Sequence, residues 1–229
     1  MNLKPILFST PMVGSILDGS KTQTRRFLHK NHQTIEEVSK VPRVMGMEDN
    51  WDDYRIVWES GDDAIVKPKY KVGDILWVRE KTCYVHLEHA PDLLQGFKSK
   101  RQIIYGTDFH DDWMVYAKEK YGYKWTPSIF MAKHHARLFL KVKSVRVERL
   151  QDISEDDAVK EGIEPTGNMS MFNKFYKNYL PIGYTDLKPI PSFQSLWQSI
   201  NGKQSWSDNP LVWVIEFERI QKPSFLISN

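Results

Sequence analysis

The sequence predicts a mixed α+β fold: a small β-barrel with short helices and two or three insertions. Three observations carry that expectation. Five or six stretches alternate apolar and polar residues at the strand period, and three short stretches carry helical spacing instead. The longest strand loses its alternation midway, as a strand does when it turns a corner of a small barrel. Strands and helices alternate too irregularly for an open βαβ sheet, the competing architecture.

The elements follow in order. An opening strand leads to a helix with Ser9 or Thr10 as N-cap and Pro11 at N1, where a missing N–H costs nothing. Met12, Val13, Ile16 and Leu17 share one face of that helix, and Gly19 is the expected C′ residue. Residues 31–68 read as an acidic, irregular insertion with strand-like pieces at 54–58 and 64–66 around a Gly61-Asp62-Asp63 turn. Gly73-Asp74 turns into a strand at 75–78. A second insertion covers 84–124, with a strand at 101–105, and Trp125-Thr126-Pro127-Ser128 returns the chain to the core. Residues 137–150 form the longest strand. Leu138, Leu140 and Val142 alternate, then the phase shifts at Lys143-Ser144 to Val145 and Val147. Ser154 caps a short helix with Asp157 at N3, and Gly162 ends it. A third insertion, 165–190, reads as a loop with an aromatic patch of Phe172, Phe175, Tyr176 and Tyr179. A helix starts near Ser192, striped by Phe193, Leu196, Trp197 and Ile200, and stops at Asn201-Gly202. The last strand covers 211–220. Residues 1–220 thus read as a single domain with insertions, and 221–229 as a loose tail.

Composition narrows the class. With 229 residues, 41% hydrophobic and 13% aromatic, the chain can bury a sizeable core. A net charge of +3 does not by itself argue for nucleic acid, but its distribution is informative. Lys21, Arg25, Arg26, His29, Lys30 and His32 form one basic cluster, and Lys133, His134, His135 and Arg137 another. The single cysteine, Cys83, excludes an internal disulfide and reads as a half-buried filler. His134 and His135 would point apart in a strand, and His86 with His89 lacks a third ligand, so no metal site is expected. The sequence has no apolar leader and no run of 18 apolar residues, so the expectation is a cytoplasmic protein with no membrane partner and no cofactor.

The richest stretch is Gly19-Ser20-Lys21-Thr22-Gln23-Thr24-Arg25-Arg26, which packs cations and hydroxyls behind a capped helix and makes a contact surface for an anion or a nucleoside. It resembles the signature of the ASCH family, Gly-x-Lys-x-x-Glu/Thr-x-Arg, through Gly19, Lys21, Thr24 and Arg26. Thr24 stands where the commoner form has Glu. In this the chain is similar to the small bacterial members that hydrolyse N4-acetylcytidine. Residues 4–12, 72–80 and 213–217 also resemble the longer phage and prophage ASCH proteins, so the likeness extends, with gaps, from 3 to 220.

That resemblance implies a PUA-like barrel, the cytoplasm of a bacterial host, and RNA or a modified nucleoside as ligand. It implies catalytic roles for Lys21, Thr24 and Glu161, and binding roles for Gly19, Lys21, Thr22, Arg25 and Arg26. Arg79 is a further candidate for lining the cleft, whereas Trp77 beside it reads as core. The chemistry is coherent: a Thr hydroxyl needs a base, and a Lys can be one if neighbouring Arg and burial lower its pKa. Glu161 would carry the proton to the leaving amine. Residues three apart face opposite sides of a strand, so Lys21 and Thr24 converge only if residues 20–24 bend. The alternative is a non-catalytic RNA- or protein-binding module, in which the cations touch phosphate and Glu161 is a solvated helix-end residue. The binding scheme expects Lys21 and Arg26 to be at least partly exposed, and the catalytic scheme expects a partly buried Lys21 with a lowered pKa.

Overall fold

A computed structural model describes residues 2–28, 35–40, 53–58, 60–86, 101–109, 111–170, 173–181 and 187–226. Expectations for His29, Lys30, His32, His89 and Phe172 lie outside these residues. The chain runs β1 (Leu3–Leu7), α1 (Thr10–Leu17), β2 (Gln23–Phe27), β3 (Ile35–Lys40), β4 (Tyr54–Trp58), β5 (Asp63–Val66), β6 (Ile75–Arg79), β7 (Thr82–His86) and β8 (Arg101–Tyr105). It continues through α2 (Asp111–Tyr121), β9 (Phe139–Arg149), α3 (Glu155–Lys160), β10 (Pro165–Ser170), β11 (Asn173–Tyr176), α4 (Pro189–Asn201), α5 (Gln204–Ser207) and β12 (Leu211–Ile220). The class is mixed α+β, as the sequence predicts. Among the described residues no sheet closes into a barrel.

The chain divides into two compact units. The first holds Met1–Gly19, Ile75–Lys141 and Arg219–Asn229. In it β6 pairs parallel with β1, from Leu3↔Ile75 to Leu7↔Arg79, and antiparallel with the start of β9, Trp77 facing Phe139. Trp77 is core, as expected, packed with Ile75, Met131, Ala136 and Phe139. A second cluster joins Cys83, Val85 and Ile104 of the β7–β8 hairpin to Met114 and Ala117 of α2. Cys83 is fully rather than half buried, and burial pushes its thiol pKa up. The return at 125–128 is seen in the Thr82–Thr126 bridge. The tail is less loose than expected: Ser224–Leu226 form a 3-10 turn, and Leu226 packs against the Trp77 cluster.

The second unit holds Ser20–Asp74 and Val142–Glu218. Here β12 lies between β9 and β2, with β2 antiparallel to it from Val212↔Phe27 to Glu216↔Gln23. One face of these strands buries Val212 and Val214 against Phe193 and Trp197 of α4 and Ala158 of α3. Trp213 points the other way and meets Tyr54 of the antiparallel β3–β4–β5 sheet edge-on, ring centroids 5.1 Å apart. Ser154 caps α3 as its sequence predicts, its hydroxyl accepting the Asp157 N–H at 3.1 Å.

Two expectations need correction, and the pattern break expected at Lys143-Ser144 shows as a change of burial along one strand. The 165–190 loop contains the β10–β11 hairpin, and its Tyr176 and Tyr179 belong to the core around Trp197. Helix α4 starts at Pro189 rather than near Ser192, because prolines are tolerated in a first helical turn. Strand β9 is continuous across Lys143–Ser144: its side chains are sharply sorted up to Val142 and uniformly half-buried from Ser144 onward.

Candidate functional site

The site is assembled on the open edge of β2. Gly19, at φ 84°, ends the α1 segment in the left-handed conformation that glycine adopts without strain. The chain then forms a bridge from Lys21 to Glu161, and the Thr22 N–H donates to the Lys160 carbonyl at 2.9 Å. The Thr22 carbonyl accepts from Phe217 on β12, so the next carbonyl, that of Gln23, points off the free edge. The Lys21 ammonium fills this position. It donates to the Gln23 carbonyl at 2.9 Å, to the Glu161 carbonyl at 2.6 Å and to the Glu161 carboxylate at 3.2 Å. Glu161 is the C-cap residue of α3, so the ammonium also sits on the negative end of that short helix.

Behind this lysine lies a network of charges. Arg25, whose side chain has no solvent exposure, donates to Glu161 at 3.0 Å and Glu148 at 3.1 Å, with Asp157 at 3.5 Å. Arg146 joins the same carboxylates, contacting Glu148, Asp157 and Glu216. Burial lowers the Lys21 pKa against the opposing effect of Glu161, and nearby Arg26 and Arg25 lower it further. Burial raises that of Asp157, but Lys160, Arg25 and Arg146 outweigh it and hold the carboxyl below its usual value.

The motif divides by burial and not by strand parity, since Thr22, Thr24 and Arg26 share a parity and Thr24 is buried. Gly19, Thr22 and Arg26 are exposed, whereas Lys21, Thr24 and Arg25 are buried. Lys21 is 2% exposed and Glu161 3%, which overturns the expectations of an accessible lysine and a solvated helix-end carboxylate. Lys21 and Glu161 do meet. Thr24 faces Ile215 across the strand pair and is hydrogen-bonded to neither of them. Arg26 is exposed yet crowded: desolvation pulls its guanidinium below the usual value, while the phenol of Tyr70 and Glu161 oppose that shift. Arg79, in the first unit, lies over the ring of Trp77 at 4.8 Å.

In the second basic cluster Arg137 is paired, whereas Lys133 and His134 are exposed. Arg137 forks onto Glu80 at 2.9 and 3.1 Å and reaches Asp108 at 2.7 Å. His134 and His135 lie in a 3-10 turn rather than a strand, so their rings meet, centroids 3.8 Å apart. Among the described residues no three His, Cys, Asp or Glu side chains gather as a metal site, and no helix is long and apolar enough to cross a membrane.

Sequence reasoning missed the carboxylates Glu148, Asp157 and Glu216. The period-two spacing of Arg146 with Glu148, and of Glu216 with Glu218, was the available signal for charged side chains sharing a sheet face. It also missed Gln23, fully buried with neither end of its amide hydrogen-bonded. No family model matches the chain, and no curated protein or solved structure matches it either.

Proposed function

We propose that the chain is an ASCH-type protein with a PUA-like fold that binds RNA or a modified nucleoside at the outer side of β2. The observation that carries this reading is the division of the motif: Thr22 and Arg26 are exposed, beside a Lys21 and an Arg25 buried in ion pairs with Glu161. A crowded, partly desolvated arginine gains from an anionic or carbonyl partner, and a hydroxyl two pleats away adds a second contact. The Lys21–Glu161–Arg25 network serves as rigid backing. The test is a titration of cytidine, N4-acetylcytidine and a short single-stranded RNA at low and moderate salt. Arg26→Ala should weaken binding about tenfold or more, as loss of a charge-assisted hydrogen bond does. Equal binding by wild type and Arg26→Ala removes this surface as the site.

A second reading, hydrolysis of an N4-acylated cytidine, rests on the 3.2 Å contact of Lys21 with Glu161 and on the desolvation that lowers the lysine pKa. Thr24 would attack the acyl carbon, Lys21 take its proton and Glu161 pass one to the departing amine, after which water cleaves the acyl ester and restores Thr24. Release of cytidine by the wild type, abolished in both Lys21→Ala and Thr24→Ala and slowed in Glu161→Gln, supports it. Binding without turnover leaves the non-catalytic module.

A further inference from the structure

The second unit carries a groove of about 510 Å³ that the motif does not use. Its floor is apolar, made by Val38, Tyr54, Val147 and Leu211. Two cations stand on its banks: Lys40 from β3 and Arg149 from β9, whose guanidinium also donates to the Asn209 carbonyl at 3.4 Å. Arg146 and Glu148 also line it, but each is committed to the other and to the charge network. Asp152 is the remaining carboxylate.

Strand parity fixes the side of the sheet on which this groove opens. Leu211 and Trp213 are two residues apart and share a face of β12, and Trp213 lies opposite Arg26 on β2. Tyr54 rests edge-on against that same Trp213, and the Lys40 ammonium lies 5.8 Å from the Tyr54 ring. Arg26, Trp213, Tyr54 and Lys40 thus lie on one side of the β12–β2 pair, with the Trp213 and Tyr54 rings buried between the two cations. The step from Trp213 to Leu211 is about 7 Å along the strand.

We propose that this groove is a second nucleotide subsite, so that the ligand of the β2 surface is a single strand rather than a free nucleoside. The inference rests on the binding reading above. A base lies on the apolar floor, the phosphate joining it to the first nucleotide passes between Lys40 and Arg149, and Asp152 accepts from an exocyclic amine. An apolar floor between two cations suits an aromatic ring carrying an anion, and the single acidic side chain left over has a role in base recognition rather than repulsion.

The experiment compares cytidine with the dinucleotide CpC on wild type, Lys40→Ala, Arg149→Ala and Arg26→Ala, with circular dichroism melts to confirm folding. Wild type should bind CpC at least tenfold more tightly than cytidine. Lys40→Ala and Arg149→Ala should each remove most of that gain and lower the salt slope by about one, leaving cytidine binding unchanged. Arg26→Ala should weaken both ligands. A dinucleotide gain that survives in both groove variants overturns the subsite while the β2 surface stands, and leaves the groove to a partner of another class. No gain in the wild type overturns it equally. Failure of the wild type to bind either ligand overturns the β2 reading and this one with it.

Discussion

Arg25 and Arg137 make the same kind of contact in opposite surroundings. Arg137, in the first unit, keeps 29% of its side chain in solvent, grips Glu80 through a two-pronged fork and lies 3.8 Å over the Tyr105 ring. Burial lowers its pKa, but the hydrogen bonds to Glu80 and Asp108 outweigh that and raise it. Arg25, in the second unit, has no exposure, divides itself among three carboxylates and leaves its Nε without a partner. A fork at the surface can be rehydrated if its partner goes. A dry, divided guanidinium cannot, because its charge has been taken out of water and only the network compensates it. Charge density along a sequence is therefore no guide to exposure: Arg25 and Arg137 come from equally conspicuous basic clusters, and only Arg137 keeps contact with solvent.

The largest expected effect breaks the dry network. Glu161→Ala leaves Lys21 and Arg25 short of their shared counterion and should cost about 3–5 kcal/mol in urea unfolding. Lys21→Ala should fall in the same range, far above the roughly 0.5 kcal/mol of a surface lysine. A cost near the surface value would mean that the lysine is accessible. Glu80→Ala sharpens the contrast, because Arg137 can recover water, and the expected loss is about 1.5–3 kcal/mol. If it equals or exceeds the loss in Glu161→Ala, exposure is not what separates the two sites.

Gln23→Met tests the network from the other direction. Replacing a buried, unpaired amide with an apolar side chain of similar length should raise stability by about 1 kcal/mol. A lower melting temperature would show that the amide is satisfied. The smallest effect is in acid. The carboxyl of Asp157 has a folded pKa below its unfolded value of 3.8, so its stabilisation is complete above that pH and disappears as pH falls through the lower, folded value. Stability should therefore decline below about pH 4, and Asp157→Asn should flatten that decline.

Local chemistry made much of this fold legible. The cap at Ser154, the stops at Gly19 and Gly202, and the strands at 54–58, 101–105 and 211–220 all follow from residue type and period. The β10–β11 hairpin was hidden because Pro165, Gly167 and Asn168 signal a loop, and only its pairing makes it a sheet. Helix α2 and strand β3 were lost inside segments whose charge read as insertion. At the site, the encounter of Lys21 with Glu161 came from the family resemblance, while the environment of both was beyond reach. Whether a lysine is wet depends on what the second half of the chain lays over it.

That dependence also has a direction in time. Lys21 and Glu161 are separated by 140 residues, and among the described residues it is the Lys21 ammonium that caps the Gln23 carbonyl at the edge of β2. At about 5–20 residues per second, a ribosome takes roughly ten to thirty seconds to deliver Glu161 after Lys21 has emerged. During that interval Lys21 and Arg25 are hydrated and can meet polyanions that they do not reach once buried. A nascent chain halted before residue 161 should bind RNA indiscriminately, and the finished chain should not. Closing the edge of β2 is thus a maturation step as well as a structural one.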